Sequence, residues 1–99
     1  MFNEKRYATP GVLLKVPLYI QNLLWSLIET MTVENQDYLQ ILELSEAIID
    51  GKSMQKIIHK QEDPLYLKEH IIPISKAVNA KLFVIDDGTH STMLLSDEY

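Results

Sequence analysis

The stretch Val16 to Thr32, VPLYIQNLLWSLIETMT, constrains this chain more than any other. Ile20, Leu23, Leu24, Leu27, Ile28 and Met31 recur at helical spacing and fall on one side of an α-helix. Pro17 suits a first helical position, where its missing N–H is not needed. Thr32 and Val33 form helix weakly, and Asn35 tolerates the left-handed turn that ends one. Tyr19, Asn22, Ser26, Glu29 and Thr30 make up the wet side. The spacing therefore predicts one long helix laid over a core. Leu18 and Trp25 lie well away from the Ile20/Leu24/Met31 stripe, so the apolar arc is wider than one sheet contact needs. Either another part of the chain covers Trp25, or Leu18 and Trp25 sit in an interface. Intramolecular burial is the favoured reading, since monomers seldom leave large apolar patches bare.

Around that helix the remaining chain reads as strands. Arg6 to Thr9 is a short extended segment closed by the turn signal Pro10-Gly11, and Val12 to Leu14 lead into the helix, either as a bridging strand or packed under the helix start. Asn35-Gln36-Asp37 is a polar connection. Tyr38 to Ile49 fits helix or strand, and Asp50-Gly51, the two-residue hairpin signal, decides for strand by pairing it with Met54 to Gln61. That loop would set Ile49 opposite Lys52, Leu44 opposite Ile57 and Leu42 opposite His59, unless a bulge or longer loop intervenes. Asp63-Pro64 suggests a short helical turn through Leu65, Tyr66 and Leu67 to about His70. Ile72-Pro73 forces extended backbone, and Ser75 to Asn79 reads as a loop. Ala80 to Asp86 and Thr89 to Ser96 form a second hairpin about Asp87-Gly88, with Ala80, Leu82, Val84, Met93 and Leu95 on one face. Phe83, Ile85, Thr92 and Leu94 share the other with Lys81 and His90.

The fold class expected is α+β, with one long helix packed on a mainly antiparallel sheet of four or five strands and a short helical turn after Pro64. Ninety-nine residues, 46% of them hydrophobic and only three glycine, suit one domain spanning residues 1–99. The net charge of -5 argues against phosphate-backbone binding as the main activity, and the nine basic residues are dispersed along the chain. Neither a nucleic-acid partner nor a membrane partner is expected. There is no cysteine, which excludes a disulfide scaffold, thiolate chemistry and Cys-ligated zinc. MFNEKRYATPG carries no apolar signal-peptide core, and the one apolar helix holds Gln21, Asn22, Ser26 and Glu29, so a cytoplasmic setting is the default.

Carboxylates, an imidazole and hydroxyls crowd together only at Asp86-Asp87-Gly88-Thr89-His90-Ser91. A metal reading takes Asp86 and His90 as ligands, with His59 in support. Turn chemistry accounts for the same residues and is preferred, because Asp-Gly supplies the backbone angles such turns require. A Ser91–His59–Asp triad can be drawn, without a nucleophile elbow to support it. His59, Gln61 and Glu62 lie in KIIHKQEDP, where His59 and Gln61 share a strand face; a merely solvated surface is preferred to a polar groove, and His59, opposite Leu42, fits a half-buried histidine with one partner as well. No glycine-rich phosphate loop is present.

FVIDDGTHSTMLLSDEY, with RYATPGV, LLWSLIE, DYLQ and HKQEDP, resembles a small family from Gram-positive bacteria and their mobile elements, domain of unknown function number 960. The resemblance covers essentially the whole chain, and Ser45 to Lys52 departs most from the family's pattern. It implies a compact α+β domain and carries over no cofactor or catalytic residue. The function expected is a non-enzymatic protein–protein interaction module, docking an unidentified protein or a second copy. Its expected surface residues are Leu18, Trp25, His59, Gln61 and Glu62. The alternative is a small metal-binding protein or enzyme using Asp86, His90 and His59.

Overall fold

The structure, a computed structural model, describes residues 1–74 and 76–99. Six strands, β1 (Lys5–Ala8), β2 (Leu39–Ile49), β3 (Lys52–Gln61), β4 (Tyr66–Ile72), β5 (Ala80–Asp86) and β6 (His90–Leu95), form one sheet. Their order is β1-β6-β5-β2-β3-β4. The β1–β6 pair is parallel and every other pair is antiparallel. Two helices, α1 (Pro10–Lys15) and α2 (Leu18–Glu29), make the second layer, and a 3-10 turn at Ser96–Glu98 follows β6. The α+β class is as expected, but the sheet has six mixed strands rather than four or five. Two helices replace the single long one.

The break between the helices follows from local chemistry. Thr9 caps α1, its hydroxyl accepting from the Val12 N–H at 3.4 Å, and Pro10 starts the helix. The Pro10-Gly11 pair therefore opens a helix instead of closing a strand. Val16 is extended, and Pro17 is the N-cap residue of α2. Glu98 joins α1 from the far end of the chain. Its carboxylate accepts from Thr9 Oγ1 at 2.6 Å, from the Leu95 N–H at 2.8 Å and from the Gly11 N–H at 3.2 Å.

Helix α2 buries Ile20, Leu24 and Ile28 completely, as its periodicity predicts. They meet Leu42, Leu44, Ile57, Leu82, Val84 and Met93 on one face of the sheet, with Phe2, Val12 and Val16 closing the same core. Each fully buried aliphatic side chain contributes about 1.5–3 kcal/mol.

The first hairpin has the register expected, with Ile49 opposite Lys52, Leu44 opposite Ile57 and Leu42 opposite His59. Asp50 and Gly51 both take positive φ, 51° and 76°, the geometry of a tight primed turn, so no bulge is needed. The second hairpin keeps its expected faces but pairs Asp86 with Ser91 and Val84 with Met93. Its loop is thus two residues longer than Asp87-Gly88 alone. The Asp87 carboxylate accounts for the extension, since one oxygen accepts from the Thr89 N–H and from the His90 N–H, each at 2.9 Å.

No helical turn follows Pro64. Tyr66 to Ile72 instead forms β4, hydrogen-bonded along Gln55–Gln61 of β3. Pairing with an existing strand outweighs the local capping signal at Asp63-Pro64. Ser75, the first residue of the expected Ser75–Asn79 loop, lies outside the described residues, and Lys76 to Asn79 contain no helix or strand.

Candidate functional site

The sheet has a helix-covered face and an open face, and strand alternation decides which residues reach each. His59 and Gln61 project beneath α2 with Gln40, and all three are buried. Gln40 donates from Nε2 to Asp37 O at 2.9 Å and to Gln61 Oε1 at 2.7 Å. Its own oxygen faces His59 Nε2 at 2.7 Å, so that ring nitrogen carries the proton and donates. Gln61 completes the network. Its oxygen also accepts from the Asp37 N–H at 2.8 Å, and its amide donates to Asn35 O at 3.0 Å and Pro64 O at 2.8 Å.

These side chains replace missing secondary structure. The 30–38 and 62–65 connections leave backbone groups without ladder partners, and Gln61 supplies partners to both. Gln55 does the same for the next connection, bonding the Val78 N–H at 2.7 Å and Val78 O at 3.1 Å. Gln36 satisfies Ile28 O at the end of α2 at 2.8 Å. His59 and Gln61 therefore form neither a solvated face nor an open groove but a filled, bonded seam.

His59 Nδ1 has no hydrogen-bond partner. Burial, followed by the nearby His70 imidazole, lowers the His59 pKa to about 4. The ring is neutral at neutral pH and its protonated form is disfavoured. His70 is also lowered, first by burial and then by Lys68. The Tyr66 ring stands edge-on to His59 at 5.2 Å.

The metal candidates do not converge. Asp86 and His59 project on the helix-covered face, with β2 between their strands, while His90 projects on the open face. The Asp86 carboxylate is already engaged by the Phe2 N–H at 2.6 Å and the Gly88 N–H at 2.7 Å. Burial pushes its pKa up, but those two donors hold the anion more strongly and the net shift is downward. His90 Nδ1 lies 3.2 Å from Asp87, whose pKa falls to about 2 through the Thr89 and His90 N–H groups and the Thr89 hydroxyl. Among the described residues no three His, Asp or Glu side chains gather around a common point. The Ser91–His59 pairing fails on distance, because three strand spacings of ~4.8 Å separate β6 from β3.

The five expected surface residues are likewise dispersed. Trp25 is only 8% exposed, beneath the Arg6 guanidinium 4.7 Å from its ring, and Arg6 is itself paired with Glu29 and bonded to Phe2 O. Leu18 is 67% exposed, and Glu62 is exposed in the turn before β4. The wide apolar arc thus splits, Trp25 going into the monomer and Leu18 to solvent. Leu13 and Leu14 are exposed on α1, and spacing alone does not reveal them, because Val12 to Leu14 fits a bridging strand or a segment packed under α2 as well as a helix.

A two-layer α+β architecture with a bonded glutamine–histidine seam defines the class. The chain belongs to the family described as staphylococcal protein of unknown function (DUF960), whose family model matches residues 5–98. It is similar to a crystal structure of a protein of unknown function from Enterococcus faecalis. The TM-score is 0.82 at 25% identity, over 98% of this chain and 92% of that one. No curated protein matches it. No helix among the described residues is long and apolar enough to cross a membrane.

Proposed function

We propose that the protein is a non-enzymatic, cytoplasmic interaction module that docks a partner protein through the junction of α1 and α2. The observation that carries this reading is the exposure of four large apolar side chains within seven residues. Leu14 is 90% and Leu18 67% exposed, and Leu13 and Tyr19 are exposed beside them. A folded chain that hides Trp25, Ile20 and Leu24 leaves four large apolar side chains in water around one junction, and a concentration of such side chains favours a protein contact there. Lys15 is the single charged residue between Leu13 and Tyr19, so the patch suits an apolar partner groove better than an acidic or basic one.

The test compares the intact chain with a Leu14→Lys/Leu18→Lys variant as bait in lysate of its native cells, with sedimentation of both proteins alongside. Surface changes of this kind move stability by only about 0.5 kcal/mol, so both forms stay folded. A protein retained by the wild type and lost by the variant supports the reading, as does a dimer that the variant dissociates. Identical retention and identical sedimentation for the two would refute it.

A further inference from the structure

The open face of the sheet carries a charge opposite to that of the molecule. Strand alternation from the Ile41–Lys60, Ile41–Phe83 and Phe83–Leu94 pairs places Lys5, Lys52, Lys56, Lys60 and Lys81 on it. Glu43 and Glu69 are the acidic residues on the same strand positions. Five of the nine basic residues and two of the fourteen acidic ones thus share one face of a chain whose net charge is -5. Glu43 is divided between two ammonium groups, Lys60 at 3.2 Å and Lys81 at 3.9 Å, and Glu69 pairs with Lys56 at 3.8 Å, so five ammonium groups face two carboxylates and positive charge is left over. Lys52, Lys56 and Lys60 follow one another every fourth residue along β3, in steps of about 13 Å.

Aromatic rings lie on that face too. Tyr7 is half exposed on β1, and Phe83 sits in the middle of β5, with the exposed Tyr99 ring edge-on to it at 5.4 Å. Lys81 Nζ is 5.8 Å from the Phe83 ring centre. Neither α1 nor α2 covers these groups, since both pack on the opposite face.

We propose that the open face binds single-stranded nucleic acid, phosphates lying along the β3 lysines and bases stacking on the Tyr7–Phe83–Tyr99 side. Charge complementarity selects a polyanion for a face that is positive on an acidic protein. The rings select a polyanion with flat faces, which separates unpaired nucleic acid from an anionic lipid surface or an acidic protein. This surface lies on the layer opposite the α1–α2 junction, and its test stands apart from that of the protein-docking reading.

The experiment is fluorescence anisotropy of the full chain with labelled oligo(dT) and oligo(U) of about twelve nucleotides, from ~20 to ~200 mM salt. Binding is expected to weaken with salt at a log–log slope near −2, as for about three lysine–phosphate contacts on a single strand. Lys56→Glu/Lys60→Glu should weaken it at least tenfold, whereas Lys15→Glu, on α1, should change it less than twofold. Tyr7→Ala should cost about fivefold or more while leaving the salt slope unchanged, and Tyr7→Leu, which keeps an apolar side chain on the strand, should match it. Absence of binding at the lowest salt overturns the proposal, and so does binding indifferent to Lys56→Glu/Lys60→Glu. Capture by phosphatidylserine vesicles with no loss of oligonucleotide binding in either Tyr7 variant overturns it as well, because the face would then read charge alone.

Discussion

Acidification across the His59 titration should destabilise the fold by an amount the buried ring sets. In the folded chain His59 titrates at about 4, against 6.5 for an unburied imidazole. Between those values the unfolded chain takes up a proton that the folded chain refuses, so stability falls as pH falls. No penalty remains above about pH 6.5, and the loss is complete below about 4. That interval corresponds to about 3 kcal/mol at roughly 1.4 kcal/mol per pH unit, a large part of the 5–15 kcal/mol typical of a small domain. Trp25, the single tryptophan, is buried and reports unfolding by its fluorescence. Urea titrations at pH 7 and pH 4 would therefore be compared for the wild type and for His59→Gln, whose amide can still donate to Gln40 but cannot titrate. His70 adds a change of the same sign to both proteins and cancels in the comparison. The lowered carboxylates Asp86, Asp87 and Glu98 stabilise above the ordinary carboxylate range and lose that effect below it. The wild type should lose about 3 kcal/mol more than His59→Gln between the two pH values. A difference that stays within about 0.5 kcal/mol across the window would show that the ring is not buried neutral against Gln40.

Gly11→Ala should change sign with its background. The added Cβ would lie 2.6 Å from Glu98 Oε2, so in the intact chain it displaces the carboxylate and lowers the urea midpoint; with Glu98→Ala the same change should gain the usual ~0.5–1 kcal/mol of a helical glycine replaced by alanine. A double-mutant cycle giving one sign in both backgrounds would defeat this account. Gln61→Leu keeps the volume but removes four hydrogen bonds, and should cost about 3–4 kcal/mol with loss of exchange protection at the Asp37 N–H. A cost below about 1 kcal/mol would mean that water replaces the side chain. Trp25→Leu should be strongly destabilising, by about 3 kcal/mol, while Leu18→Ala should leave the midpoint within about 0.5 kcal/mol. Comparable losses for the two would contradict the split of the apolar arc.

Much of the framework was legible because its signals are local. The α2 stripe, the Asp50-Gly51 turn with its register and the inward face of the β5–β6 hairpin all follow from residue spacing within a few turns or pairs. The misreadings share one cause. Thr9-Pro10-Gly11 fits both a turn and a helix start, and the group that supports the helix, Glu98, is 87 residues from Gly11. Asp63-Pro64 fits a helical N-terminus, and what overrides it is the free edge of β3, to which Tyr66–Ile72 pairs. Each ambiguity was settled by a partner remote in sequence.

The chemistry of the surfaces obeys the same limit more severely. Along the chain His59 and Gln61 look like a solvated polar strand face, and only the packing of α2 makes them a seam that holds two connections. The lysines show the converse. Read in order, Lys5, Lys52, Lys56, Lys60 and Lys81 are scattered among acids and form no cluster. Alternation in a sheet sends Glu46 to the helix side and Lys56 to the open side, and pairing then sets Lys60 and Lys81 on either side of Glu43. Net charge is a property of composition, but the field a partner meets is a property of register. A one-residue slip of β3 would turn its lysines into the core and move Gln55, Ile57 and His59 out of it. The buried glutamines that fix the connections therefore also hold the register that exposes the basic face.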